Sequence, residues 1–317
     1  MHILKISQKN KPIHCFQEVL FSMPTLFSDL ALESREALLS ATPGEIDGVL
    51  FEDHHQGSFH TLISTVRVLN ETGERTVGKP AGTYITLENP HLNQNHLAAH
   101  EEITELLSQT LQSLLPLREN ASVLIIGLGN RNVAADSLGP LTVSGLLISR
   151  HIRETVPEEL RNELRPVCAL APGVMGQTGI ETLEIVCGIQ DRINADAIIL
   201  IDALAARSIS RVNTTIQLTD TGIRPGAGIG NRRQMLSSQN LGAPVIALGI
   251  PTVVDARTMI LDAVPDASPD LLNGYSNLYV TPKNMDFAAA QLSGILSGAL
   301  NRYLHHLSAE ALRQYLY

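Results

Sequence analysis

Three cysteines in 317 residues, Cys15, Cys168 and Cys187, are too few and too scattered for a disulfide framework. None stands in a CxxC pair or at zinc-ribbon spacing, so buried, reduced thiols are expected. No apolar run approaches the ~18 residues of a membrane span. The start, MHILKISQKNKPIHCF, is interrupted by Lys, Gln and Asn before any apolar stretch of signal-peptide length, so a cytoplasmic protein without a membrane partner is expected. Basic residues are in the minority: Lys and Arg number 23 against 32 Asp and Glu, a formal charge of −9. That balance argues against a standing nucleic-acid or anionic-membrane surface, but leaves a basic or nucleic-acid-coating protein open as a transient partner. There is no GxSxG elbow, no HExxH, and no cysteine beside a plausible histidine partner, which argues against the common serine, zinc and thiol hydrolytic arrangements.

What is present is apolar. With 44% hydrophobic and 17% charged residues, the chain buries a large core, as one big domain with attachments or as two domains. Residues 1–50 are mixed and end in the turn-like TPGEIDG, and FHTLISTVRVL and GTYITLENP then place β-branched residues in near-alternation, predicting a few antiparallel strands. LAAHEEITELLSQTLQSLLPL (97–117) has apolar residues at helical spacing. Four runs follow that are apolar throughout: VLIIGLG (123–129), PVCALAP (166–172), DAIILID (196–202) and PVIALGIP (244–251). Such runs, with crossover lengths between them, predict strands buried on both faces of a mainly parallel sheet flanked by helices. TTIQLT (214–219) reads as a further strand and DFAAAQLSGILSGALNRYLHHL (286–307) as a closing helix. The fold class is therefore α/β, with an N-terminal β-containing extension.

In open α/β sheets chemistry gathers where strands end and their loops converge. The first run opens into GLGNRNVAADSLGP, the third into DALAARS, and each places one aspartate there, Asp136 and Asp202. Two acids brought together in a partly desolvated cleft split their pKa values, so that one takes a proton from water while the other donates one. The bland alternative is a helix N-cap for Asp136 and a strand-end turn for Asp202. GLGNRN begins like a dinucleotide fingerprint, but Asn132 replaces the third glycine, and the two glycines fit a tight turn better. His96 and His100, followed by Glu101 and Glu102, lie four apart, yet outside the expected cleft and in the wrong order for a zinc motif, so they read as a solvated helix start. His305 and His306 read as a match to the dipole at the end of the last helix.

GLGNRNVAADSLGP, APGVMGQTGIET, IDALAARSISRVNTTIQLTDTGIRPGAGIGN and GIPTVVDA closely resemble the germination protease family of spore-forming bacteria, endopeptidases that degrade small acid-soluble spore proteins. SDLALE, GKPAGTYITLE and YVTPKNMD extend the resemblance over nearly the whole chain. It implies a fold like that of hydrogenase-maturation proteases, a homotetramer in the spore core, no direct nucleic-acid partner, and a zymogen that removes its own N-terminal segment. Its catalytic aspartates map onto Asp136 and Asp202. Aspartic-type and metal-dependent chemistry are both attached to the family; two carboxylates offer oxygen ligands to a divalent ion but make a thin site without a third ligand, so aspartic-type hydrolysis without a cofactor is favoured. A catalytically silent spore-protein-binding relative, or a metal-dependent processing peptidase, are the competing functions. Arg224 stands in DTGIRPG where many relatives resemble one another in having histidine, Arg131 occupies a position that is often apolar, and the segment before Tyr279 is shorter than in the longer relatives.

The resemblance also implies where activation occurs. Relatives cut after an acidic residue that follows a small hydroxyl residue and precedes an apolar residue, Ala and, two further on, Glu; Ser28-Asp29-Leu30-Ala31-Leu32-Glu33 has that order, with Phe27 and Ser28 in place of Arg and Thr. Cleavage between Asp29 and Leu30 is expected, dividing the chain into a propeptide (1–29), a β-rich portion (30–96) and a catalytic core (97–317) integrated with it. The alternative is that SDLALE starts a short helix through Ser28 or Asp29.

Overall fold

The computed structural model describes residues 28–41, 44–227 and 233–307. Cys15 and the first 27 residues lie outside that range. The first half contains α1 (Ala31–Ala41), β1 (Val49–Gln56), β2 (Thr61–Val68), α2 (Glu71–Val77), β3 (Gly82–Glu88), α3 (Leu97–Leu114), β4 (Val123–Gly127) and α4 (Leu138–Ser144). The second contains α5 (Glu158–Glu163), β5 (Val167–Leu170), α6 (Met175–Thr178), α7 (Thr182–Ile193), β6 (Ala197–Ala206), β7 (Thr215–Thr219), α8 (Ser238–Leu241), β8 (Val245–Asp255), α9 (Ala256–Ala263), α10 (Pro269–Asn273), β9 (Tyr279–Val280) and α11 (Met285–Leu304).

Among the described residues nine strands join one sheet in the order β1-β2-β3-β7-β8-β6-β4-β5, with β9 against β8. The four apolar runs are its parallel centre: β5 pairs β4, β4 pairs β6 and β6 pairs β8, each in parallel. The alternation within those runs decides the layers. Ile125, Ile199, Ile201, Ile246 and Leu248 face a core built on α3 and α11 through Ile103, Leu107, Leu292, Leu296 and Leu300. Leu124, Ile126, Ile198, Leu200 and Val245 point the other way, towards Val186 of α7 and Leu241 of α8. Each such side chain contributes about 1.5–3 kcal/mol on leaving water, which is why apolar character on both faces specifies a central strand. The β-branched N-terminal stretch forms the expected antiparallel strands, and β7 stitches them antiparallel to β8.

DALAA is strand and not loop, because β6 continues to Ala206 by pairing with β8, whose GIPTVVD also remains extended, across a bulge at Leu204/Ala205. His305 is no charge for a helix dipole: it is buried, its Nε2 bonded to the Leu147 carbonyl, and burial, with Arg165 and His306 nearby, pulls its pKa down to about 4. Its neighbour His306 is exposed. Cys168 and Cys187 are free but only half-buried.

His305 gives the fold an acid sensitivity of definite sign. Its folded pKa is below the ordinary value of about 6.5, so the unfolded chain binds the extra proton and stability is lost as pH falls from about 6.5 to about 4. The loss from this group is on the order of 3 kcal/mol. Urea titrations across that range should therefore show His305→Asn approaching wild type in stability as the pH drops; a constant gap would contradict the assignment.

Candidate active site

Asp136 is placed by a loop that only glycine permits. After β4 the chain passes Gly129 with φ +106°, where a Cβ would lie 2.2 Å from the Asp136 carbonyl oxygen and 2.8 Å from its Oδ1. Gly127 and Gly139 allow the loop and the start of α4 to meet: a Cβ on Gly127 would lie 2.3 Å from the Gly139 carbonyl oxygen. The glycines of GLGNRN thus serve a close turn, as their spacing suggested. Residues Ala134–Asp136 form a 3-10 turn, held from β8 by the Thr252 hydroxyl, which donates to the Ala135 carbonyl at 2.6 Å. Asp136 sits at the end of that turn, makes no N-cap, and accepts the Asn130 N–H on Oδ2 at 2.8 Å.

Asp202 lies within β6, 4% exposed, with Oδ1 accepting the Ala203 N–H at 2.9 Å. It is therefore neither at a strand end nor in a turn. Both aspartates line one cavity of about 90 Å³, together with Gly129, Gly173, Pro225 and Arg233. Burial raises the Asp136 pKa, partly offset by the Asn130 N–H. Burial also pushes Asp202 well above the usual carboxylate range, and the nearby Asp136 and Asp29 charges push it further. The two acids are thus unequal: each accepts one backbone N–H, but the deeper one is raised further, by fuller burial and by two neighbouring acids.

Other residues frame the pair that the sequence did not single out. Asn130 Oδ1 accepts from the Asn132 N–H at 3.0 Å and from Gln177 Nε2 at 2.9 Å, which ties the loop after β4 to α6 in the loop after β5. Arg233 reaches Glu181 at 3.6 Å and brings a cation to the cavity wall. The GNRN and GQTG stretches contain these residues, but their pairing is between loops 47 positions apart and has no periodic signature. Arg224 does not line this cavity; it lines a neighbouring one of about 280 Å³ with Asp29 and Lys79. Arg131 is exposed and donates to the Ser144 hydroxyl at 3.3 Å. His96 caps α3, accepting the Ala99 N–H on Nδ1, and His100 bonds the His91 carbonyl through Nε2. Among the described residues no group of three or more His, Cys, Asp or Glu is placed to hold a metal ion.

A family model described as germination protease matches residues 28–266 of this chain. The chain belongs to the germination protease family. A germination protease of Clostridium tetani is 40% identical over 91% of this chain and 98% of its own length. One from Caldanaerobacter subterraneus is 40% identical over 86% and 92%, and one from a Geobacillus strain is 43% identical over 77% and 67%. A hydrogenase maturation protease, HycI of Thermococcus kodakarensis, aligns at 14% identity and a TM-score of 0.31 over 62% of this chain. That likeness is too loose to argue from, and the α/β class rests on the sheet itself.

The SDLALE segment, the site of expected cleavage in a germination protease of this sequence, is anchored firmly. Residues from Ala31 are helical in α1, as the alternative reading required, and Ser28 Oγ accepts the Leu30 N–H at 3.0 Å. Leu30 is fully buried against Leu204, Ala206, Val212 and Val254. Asp29 pairs with β6: its N–H donates to the Ala205 carbonyl at 2.9 Å and its Oδ2 accepts the Ala205 N–H at 2.8 Å.

Proposed function

We propose that this member of the germination protease family is an aspartic-type endopeptidase that hydrolyses small acid-soluble spore proteins in the spore core, with Asp136 and Asp202 handling the protons. The observation that carries the reading is the convergence of two unequal carboxylates on one cavity in a chain of this family. Asp202, buried and beside two other acids, is the group that keeps its proton to higher pH than an ordinary carboxyl and gives it to the departing amine. Asp136, half-buried with the Asn130 N–H on Oδ2, is the group that takes a proton from water. Activity then requires Asp136 ionised and Asp202 protonated. Because both pKa values are raised, the working window lies above the ordinary carboxylate range, closing on the acid side through Asp136 and on the alkaline side through Asp202. Among the described residues no third His, Cys, Asp or Glu joins the pair as a ligand set, which supports assigning each step to carboxylate and water.

The same reading includes a zymogen cut between Asp29 and Leu30 and assembly as a homotetramer. Supporting assembly, Leu271, Tyr275, Leu278 and Phe287 are 44%, 40%, 53% and 61% exposed, large apolar side chains that a partner subunit would cover. Incubation of the purified protein with a small acid-soluble spore protein, followed by mass spectrometry, should give discrete fragments, unaffected by a chelator. Intact substrate would favour a silent binding relative, and activity lost to chelator and restored by a divalent ion would favour a metallopeptidase. N-terminal sequencing after incubation at mildly acidic pH should find a new terminus at Leu30 that Asp136→Asn does not produce. Fully active protein that retains its Met1 terminus would refute the zymogen.

A further inference from the structure

The carbonyl of the Asp29–Leu30 peptide is gripped by two side chains from different strands and loops. Lys79 Nζ donates to the Asp29 carbonyl at 3.1 Å and to the Ser28 carbonyl at 2.8 Å. Gln217 Nε2 donates to the same Asp29 oxygen at 3.0 Å, while its Oε1 accepts the Ala31 N–H at 2.8 Å. We propose that Lys79 and Gln217 are catalytic residues of self-cleavage, forming an oxyanion cradle for the Asp29 carbonyl. The proposal rests on the reading of Asp29–Leu30 as a bond cut in cis, and adds the groups that act on it.

Local structure delivers both donors. α2 ends at Gly78 with φ 71°, a left-handed cap after which the chain turns and sends Lys79 towards β6. Its side chain is half-buried, and burial lowers the ammonium pKa while Asp29 and Glu33 support the charge. An ammonium aimed at two carbonyls also holds the start of α1 in place. It is suited to hold negative charge that develops on one oxygen. Gln217 belongs to β7 and is buried, so its amide is preorganised, with Nε2 on the Asp29 carbonyl and Oε1 on the Ala31 N–H of the next peptide. The cavity of about 280 Å³ beside Asp29, Lys79 and Gln217 leaves room for water at that peptide.

The chemistry balances as simple hydrolysis. One water oxygen bonds to the Asp29 carbonyl carbon, and the carbonyl electron pair moves onto the oxygen held by Lys79 and Gln217. That pair then returns as the C–N bond breaks. The nitrogen of Leu30 keeps the bonding electrons and receives, by way of the aspartates, the proton taken from water. The products are a carboxyl group on Asp29 and an amine on Leu30, with no oxidant, reductant or second substrate.

The test compares full-length wild type, Lys79→Met, Lys79→Arg and Gln217→Glu, following the Leu30 terminus by intact mass over time and pH, with melting curves for each. Gln217→Glu keeps the acceptor for the Ala31 N–H but loses the donor and sets an anion against the carbonyl, so self-cleavage should slow by about 10²-fold or more without a matching loss of melting temperature. Lys79→Met should slow it comparably, and Lys79→Arg should recover part of the rate because the charge returns. Wild-type rates in both Lys79→Met and Gln217→Glu would overturn the cradle while leaving self-cleavage intact, and so would an arginine variant as slow as the methionine one. Wild type that cuts spore protein yet never yields a Leu30 terminus would instead remove the reading beneath it, and the cradle with it.

Discussion

Asp136→Asn and Asp202→Asn should each lower peptide hydrolysis by about 10²-fold or more, the usual scale of general acid–base catalysis. Asparagine matches aspartate in volume and keeps an acceptor for the Asn130 N–H at position 136 or the Ala203 N–H at position 202. It cannot take or give up the proton. The two variants should differ in stability, and that difference checks the assignment of roles. The folded pKa of Asp202 is raised, so its favourable contribution is complete below the unfolded value near 3.9 and is lost as pH rises through the folded pKa. At neutral pH wild type therefore carries a strained, buried acid that Asp202→Asn lacks. The variant should melt at or above the wild-type temperature near neutrality and lose that advantage in acid. Asp136 is shallower and its N–H partner offsets burial, so Asp136→Asn should shift melting less. Near-normal hydrolysis with normal melting in both variants would remove the pair from the mechanism.

Glu33→Ala should destabilise the protein by about 3 kcal/mol, because it removes a buried acceptor from two backbone donors. The Glu33 carboxylate is 3% exposed and accepts the Arg207 N–H at 2.6 Å and the Ser208 N–H at 2.9 Å. It also accepts the Ser28 hydroxyl and lies 3.6 Å from Arg211. Alanine leaves two backbone N–H groups without a partner and takes one anion from Arg211, which retains Glu36 and Glu88. Glu36 is the useful contrast, since its side chain is 46% exposed and pairs with the same guanidinium. Its replacement by alanine should cost about 1 kcal/mol or less. Urea unfolding of the two variants measures both, and equal small losses would mean that Glu33 does not anchor the SDLALE segment.

The carboxylate pair was legible because two local signals agreed, an apolar run followed by small residues and an acid that water-free surroundings would penalise. The resemblance of NVAADSLGP and IDALAARS to germination proteases pointed to the same two positions. Asp202 was nevertheless placed at a strand end, since DALAA carries small residues that read as a turn. Pairing with β8 keeps them extended through Ala206. Lys79 and Gln217 left no signal, because a lysine after a helix and a glutamine in a strand are ordinary until the chain folds SDLALE against them. His305 follows the same rule: a histidine at a helix end titrates near neutrality in isolation, and only burial beside Leu147 and its neighbours holds it neutral down to about pH 4.

By itself the sequence determined the four central strands and the helices on their flanks, and it marked the two aspartates that come to line one cavity. Burial on both faces and helical spacing are written locally, at the periods of strand and helix. The tertiary structure alone decided that β7 carries the N-terminal strands into the same sheet, that Asn130 and Gln177 close the wall beside Asp136, and that the Asp29 carbonyl meets Lys79 and Gln217. Those contacts join residues up to 188 positions apart, and their energy depends on who is desolvated beside whom, a property that no stretch of chain possesses before the core has formed.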